Sequence, residues 1–405
     1  MSCLFLFLLI APSVIFYSQG YRVDFNPPAG GIKIVQTGGI FLKVEPKQAT
    51  VFVDEKSKKK TDFLFGTILI KNLLPGWHKI RVEKDGFHPW EKNLEIKEKE
   101  VAEAKNIILI PQNPNFTVLT QGINNFWFSL DGKKIIFLRA REQEWELFSY
   151  EIDKGVENYL IKEKDIGEGV EIDDLKFSSD QKEIILETKI KPASAKATAG
   201  RDDFKKIILD ISRVPPILTN ATTSPAQILE QNLGGQAEDF LVSQKINGES
   251  YELDNSGKLF KNGGKLSEMS FKTIKISPNF QKLALIQDYE IWLLFIEPQS
   301  SQPQRKANEQ IYLTRFSKKI GEVFWYNSDY LLFNVGGEIK ITEIDNRDRL
   351  NIADLISFTP LESPPFLTGF KESEAEKFKI FFDQNNKKLY ILNKGNFSVS
   401  EKLLP

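Results

Sequence analysis

The chain has 405 residues, of which 41% are hydrophobic and 27% charged, so it can bury a sizeable core and has room for two domains. A formal net charge of −1 supplies no global basic field to gather nucleic acid. A single cysteine, Cys3, excludes an internal disulfide framework, and only two histidines, His78 and His88, remove most zinc, triad and histidine-relay mechanisms. The 31 phenylalanines suit half-buried pleated surfaces, and the expected fold class is all-β.

Leu4 to Tyr17 form an almost unbroken apolar run, shorter than the roughly 20 residues a spanning helix needs. Three readings are open. The run is a cleaved signal peptide, with Ser18-Gln19-Gly20 as small and polar residues near a cleavage point. It is an uncleaved signal-anchor whose upstream part is missing. Or it is a buried strand or helix. No Lys or Arg precedes it, which is unusual for an export signal, and an upstream extension would supply both charge and length. Cys3 lies too near the start, without a lipobox, for a lipoprotein anchor. Residues 1–20 are thus expected to be a signal-anchor or signal peptide, and 21–39 a tether through Pro27-Pro28-Ala29-Gly30-Gly31. This puts the bulk of the chain on the extracytoplasmic side of a membrane.

From 40 to 111 short alternating runs predict a small antiparallel β-sandwich. Ile40, Leu42 and Val44 share one strand face, and Val51 and Val53 share another. Pro46-Lys47-Gln48-Ala49 turns between them. Asp54 to Lys60 (DEKSKKK) reads as a polar tip. Leu73-Leu74-Pro75-Gly76 and Asp85-Gly86 are further turns around an alternating strand ending at Val82, and Val101 to Ile110 can supply a last strand.

These residues resemble a PEGA domain. The signature turn is Pro46-Lys47-Gln48-Ala49, followed by Val51-Phe52-Val53-Asp54. The later Pro-Gly turn, alternating strand and Lys-x-Gly-aromatic pattern runs from Leu74 to Phe87. Gln48 stands where the family has Gly, so a left-handed backbone there is strained. Thr61-Asp62 stands where Thr-Pro is usual. The resemblance implies a binding or spacer module of exported proteins, without catalysis. The approaches Tyr21 to Phe25 and Gln36 to Leu42 also resemble anchored bacterial PEGA proteins that carry a propeller-like region behind.

From 116 to 405 one unit recurs: alternating hydrophobics, a Ser/Asn/Asp turn, then a short apolar strand. Copies lie at Phe126–Phe137, Leu175–Leu186, Ile274–Leu285, Val323–Phe333 and Ile380–Ile391. Their turns, marked by Asp131, Asp180, Asn279 and Asn327, recur at about 50 residues with one double interval, where a degraded copy near Phe240 to Phe260 is expected. That period predicts a β-propeller of about six blades, with five or seven also compatible and a pair of plain β-sandwiches as the structural alternative. The repeat resembles the WD-repeat-like and TolB-like propeller motif. Only Ser277-Pro278 keeps its Ser-Pro, and only Asp131-Gly132-Lys133 its Asp-Gly-Lys. Lys191 to Gly200 (KPASAKATAG) and Glu297 to Gln310 read as exposed, mobile insertions.

The repeated Asp and Asn side chains read as turn geometry rather than acid–base chemistry. His78 and His88 lack supporting ligand spacing for a metal. Lys56, Lys58, Lys59 and Lys60 form a basic tip suited to anionic wall polymer or head groups, or simply to water. Trp77, Phe87 and Trp90 either stack on a sugar ring or fill the core. The candidate ligand contacts are Trp77, Trp90, Lys58, Lys59 and Lys60. The expected function is a non-catalytic, membrane-anchored binding or scaffold protein that presents a propeller to an envelope protein or cell-wall glycan, with no cofactor. A cytosolic assembly platform and a carboxylate-dependent hydrolase or lyase are the alternatives.

Overall fold

The computed structural model describes residues 2–25, 30–129, 131–141, 144–190, 204–213, 215–220, 240–357 and 378–403. The chain divides into two compact units. One comprises 1–114, 241–361 and 402–405, and the other 115–240 and 362–401.

The first unit starts with the helix Ser2–Ser18, which carries Pro12 and no charged residue. Phe7, Ile10, Val14, Ile15, Phe16 and Tyr17 are all exposed on it. No helix among the described residues is long and apolar enough to cross a membrane. The helix leads into a two-stranded antiparallel ribbon, Tyr21–Asp24 with Lys33–Gln36.

Next come two sheets that share one core. Thr67–Leu73, Gly38–Glu45 and Val101–Ile108 form the first, in that order. Lys56–Lys60, Thr50–Val53, Gly76–Glu83 and Trp90–Ile96 form the second. Ile40, Leu42 and Val44 from one meet Val51, Val53, Ile80, Val82 and Leu94 from the other, all buried, as period-two alternation requires.

The sandwich is not wholly antiparallel: Gly38–Glu45 pairs with Val101–Ile108 in parallel. Alternation identifies which side chains point inward, but not strand direction. The intervening strands cross to the other sheet and back, and so return the chain in its starting sense. Nor is Asp54 to Lys60 simply a tip, because Lys56–Lys60 is a strand on an open sheet edge, where lysines discourage pairing with another chain. Gln48 has φ 60°, so the left-handed turn expected of a Gly falls on a side chain. Thr61 Oγ1 accepts from Ala49 N at 3.1 Å. Asp62 accepts from the N–H groups of Leu64, Phe65 and Thr67 and from Thr67 Oγ1, which holds its carboxyl down at about 2.

The same unit carries three four-stranded meanders. Phe240–Ile246, Glu249–Asp254, Lys258–Lys261 and Gly264–Ser270 make the first. Thr273–Ile276, Lys282–Ile286, Glu290–Phe295 and Glu309–Arg315 make the second. Ile320–Asn327, Tyr330–Val335, Glu338–Glu343 and Ile352–Ser357 make the third.

The second unit adds two meanders over Ile123–Lys162 and Val170–Asn220. In its remaining sheet Phe116–Thr120 pairs with Asn396–Ser400, which continues to Lys388–Asn393 and Lys379–Asp383. One sheet therefore joins the two ends of the repeat region. Each sequence copy falls on the first two strands of a sheet, and the degraded copy forms the meander at Phe240–Ser270. These four-stranded units are blade-like, so the described chain is all-β with a propeller-like repeat.

The turn residues close their own hairpins. Ser129 Oγ, Ser178 Oγ and Ser277 Oγ donate to Asp131, Asp180 and Asn279 at 2.6, 2.8 and 2.8 Å. The same hydroxyls accept from the N–H of Lys134, Glu183 and Lys282 at 2.8, 3.0 and 2.9 Å. At the matching left-handed position stand Gly132, Gln181 and Phe280, with φ 69°, 59° and 59°. Of the two expected insertions, Lys191 to Gly200 lies outside the described residues. The other is ordered by its own contacts: Gln299 and Arg305 exchange backbone hydrogen bonds, and Gln299 Nε2 donates to Pro303 O at 2.8 Å.

Gln48→Gly and Phe280→Gly relieve left-handed strain at exposed sites. Each is expected to raise unfolding stability by about 0.5–1 kcal/mol, seen as a higher urea midpoint at unchanged slope.

Candidate functional site

Within the first unit, the sandwich meets the meanders through two sheet edges. Trp90–Ile96 and Val101–Ile108 are edge strands whose outward N–H and C=O groups need partners. Side chains supply them. Asn351 Oδ1 accepts from Glu91 N at 3.0 Å, and its Nδ2 donates to Glu91 O at 3.2 Å. Asp348 Oδ2 accepts from Asn93 N at 2.8 Å. Gln302 Oε1 accepts from Glu103 N at 3.0 Å, Arg347 Nη2 donates to Glu103 O at 2.9 Å, and Tyr330 Oη accepts from Ile108 N at 2.9 Å. Asn351, Asp348, Gln302 and Arg347 thus act as a substitute strand built from side chains.

At the centre lies a buried ion pair. Lys92 is wholly buried, and its Nζ sits 2.7 Å from Glu343 Oε1, donating also to the carbonyls of Asp345 and Arg349 at 2.6 and 2.8 Å. Glu343 Oε1 further accepts from Asn351 N and Nδ2, and its Oε2 from Trp90 Nε1 at 2.9 Å. Burial pushes the Glu343 carboxyl up, against the pull of Lys92. Burial also raises Asp345, but the bonds and charge of Arg347 outweigh it and hold that carboxyl low. A buried glutamate with a raised pKa is a usual sign of acid–base chemistry. Here both oxygens accept from protein donors, Oε1 from Lys92 and Asn351 and Oε2 from Trp90, so the pair joins the sandwich to the meanders.

Beside this joint opens a groove of about 620 Å³ lined by Trp77, Asn93, Glu95 and Lys97 of the sandwich and by Gln304, Arg347 and Asp348 of the loops. Trp77 is 70% exposed, the largest side chain the sandwich leaves in water. It offers an apolar face next to carboxylate, amide and guanidinium groups. That mixture suits a ligand with both apolar faces and hydroxyls.

The sequence candidates separate here. Trp77 lines the groove. Trp90 is 2% exposed and belongs to the core, where its alternation with Lys92 and Leu94 puts it on the inner face. Phe87 packs against the same core. Lys59 and Lys60 are exposed on the edge strand away from the groove. The side chain of Lys58 lies outside the described residues. His78 spans two turns, Nδ1 to Asp54 at 2.7 Å and Nε2 to Leu74 O at 2.7 Å. No cluster of potential metal ligands occurs among the described residues. Arg347, Asp348 and Gln302 escaped the sequence reading because their loops carry no periodicity.

The second unit has an apolar cavity of about 440 Å³ lined by Phe126, Trp127, Phe128, Phe177, Phe381 and Lys379. Phe128 and Phe381 stack at 3.7 Å. Lys379 donates to Asn125 Oδ1 and Phe126 O at 2.9 and 2.6 Å. Hydrogen-bonding groups that could orient a ligand are fewer there than in the Trp77 groove.

No family model matches the chain, and no curated protein matches it. Among solved structures, it is similar to TolB from Acinetobacter baumannii at 14% identity and TM-score 0.27, covering 68% of this chain and 59% of that one. It is similar to an auxiliary nutrient binding protein from Bacteroides thetaiotaomicron at 10% identity and TM-score 0.33, covering 87% and 90%. It is also similar to an oligogalacturonate lyase in complex with manganese at 9% identity and TM-score 0.33, covering 82% and 86%. The chain thus spans less than two thirds of the length of TolB, and the chemistry of the groove rests on its own residues.

Lys92→Met leaves Glu343 buried without its counter-charge and is expected to cost about 3–5 kcal/mol at neutral pH. The glutamate's folded-state pKa then rises further above its ordinary 4.5. A raised carboxyl penalises the folded state only where it is ionised. The deficit relative to wild type should therefore shrink as pH falls through that raised value towards 4.5. Urea unfolding of both proteins across pH measures this.

Proposed function

We propose that this is a non-catalytic, membrane-anchored binding protein of the extracytoplasmic face that holds a cell-envelope glycan in the Trp77 groove. The supporting observation is Trp77 itself, exposed on a rigid strand end beside Asn93, Glu95, Gln304 and Arg347. An indole face over a sugar ring, with amides and charges for its hydroxyls, is the chemistry such a site provides. The sandwich acts as a PEGA-like spacer, supported by the left-handed Gln48 in the signature turn. The four-stranded sheets are the blades of a β-propeller-like repeat, supported by the pairing of Phe116–Thr120 with Asn396–Ser400, which completes one blade from the two ends of the repeat region. The apolar helix Ser2–Ser18, alone or extended upstream, holds the chain at the membrane. The non-catalytic reading is supported by Glu343 and by the turn aspartates, all bonded within the fold.

Soluble peptidoglycan and wall-polymer fragments, titrated against the full chain in detergent, should shift tryptophan emission. Trp77→Ala should weaken binding by about tenfold or more, and Lys59→Ala should leave it unchanged. Equal binding by wild type and Trp77→Ala would remove the groove from the mechanism. Turnover of any fragment would make the protein an enzyme.

A further inference from the structure

The ribbon Tyr21–Asp24 with Lys33–Gln36 is a two-stranded sheet with no third strand. In its register Val23 faces Ile34, and Phe25 and Ile32 continue the same side. All four are exposed, at 43%, 66%, 75% and 71%. The alternate positions are Arg22, Asp24, Lys33 and a buried Val35. The ribbon therefore has one apolar side that the described residues of the protein do not cover. An isolated hairpin is marginal in water, and four uncovered large apolar side chains on one side make it more so.

The ribbon is fixed at both ends of its attachment. Arg22 stacks on the Tyr17 ring at 3.5 Å and donates to the Tyr17 and Tyr21 carbonyls at 2.8 and 2.7 Å, capping the end of the apolar helix. Phe16 meets Tyr21 edge-on at 5.3 Å. Thr37 donates to Gly20 O through both its N–H and its hydroxyl, each at 2.9 Å, tying the same point to the sandwich. The apolar side is thus held next to the polar end of an exposed apolar helix. Tyr17 and Tyr21 flank that end, with Arg22 and Lys33 as nearby cations. Tyrosines and cations at the end of an apolar helix, with adjoining apolar side chains, match the layer between acyl chains and phosphate head groups.

We infer that the apolar side of this ribbon, Val23, Phe25, Ile32 and Ile34, lies in the head-group layer of the bilayer that holds the helix, as a collar that fixes the tilt of the sandwich. The inference rests on the membrane-anchored reading, and the test separates the two. The full chain carrying Cys3→Ser receives a single cysteine as Val14→Cys, Ile34→Cys or Lys59→Cys and a fluorescent label. Lys59 lies at the other end of the sandwich, on the strand paired with Val51. Each protein is reconstituted into phosphatidylcholine–phosphatidylglycerol vesicles containing lipids spin-labelled at the head group or deep in the acyl chain. The collar predicts loss of emission at Val14 from the deep label and at Ile34 from the head-group label, with neither loss at Lys59. Quenching at Val14 without quenching at Ile34 overturns the collar and leaves the anchor standing. An Ile34 label shielded from aqueous iodide but untouched by spin-labelled lipid means that a second protein surface covers the ribbon, which also overturns it. Absence of quenching at Val14 overturns the anchor and the collar together.

Discussion

The first unit depends on how two sheet edges are closed. An edge strand exposes a row of donors and acceptors, and a buried row without partners is costly. In this protein the partners are amide, carboxylate and guanidinium groups from the loops that join the third and fourth strands within two blade-like sheets, and the Tyr330 phenol from a strand. Backbone pairing would have merged the sandwich into a neighbouring sheet. Side-chain pairing keeps the two as separate bodies with defined register. The Lys92–Glu343 pair locks that register. A misplaced register would leave both charges buried without their partners, and such errors are expensive in a low-dielectric interior.

Much of this architecture was readable from residue order. Inward positions such as Ile40, Leu42, Val51 and Val82 follow from alternation. The hairpins around Asp131, Asp180 and Asn279 follow from a turn chemistry in which a Ser and an Asp or Asn complete each other's hydrogen bonds. The degraded copy was found by its spacing rather than its residues. The parallel pairing of Gly38–Glu45 with Val101–Ile108 was not readable, because a face pattern carries no direction. The strand at Lys56–Lys60 was hidden because an edge strand needs no alternation when neither face is deeply buried.

The site was less readable than the fold. Trp77 and Trp90 are both aromatic residues on strands of one sheet, and only packing decides that one is exposed and the other buried. The groove's other wall comes from Gln302, Gln304, Arg347 and Asp348, far away in sequence and on loops without periodicity. The role of Gln302, Arg347 and Asp348 follows from what they satisfy, namely the edges of strands formed by residues 90–108, and no local pattern encodes that.

The division of the chain bears on how it is made. The first unit takes residues from before 115 and from 241 onward, and the second takes those between them and those from 362 to 401. Neither is one continuous stretch, and the strand at Phe116–Thr120 waits for Asn396–Ser400 at the far end of the chain. Contacts this distant in sequence must close a long loop before they contribute, so they form late. A nascent chain can fold the sandwich at 38–108 as it emerges, but it cannot finish either unit until residues well beyond 300 follow. Until then the finished blade-like sheets wait with strand edges and apolar faces uncovered, a hazard to a chain released early.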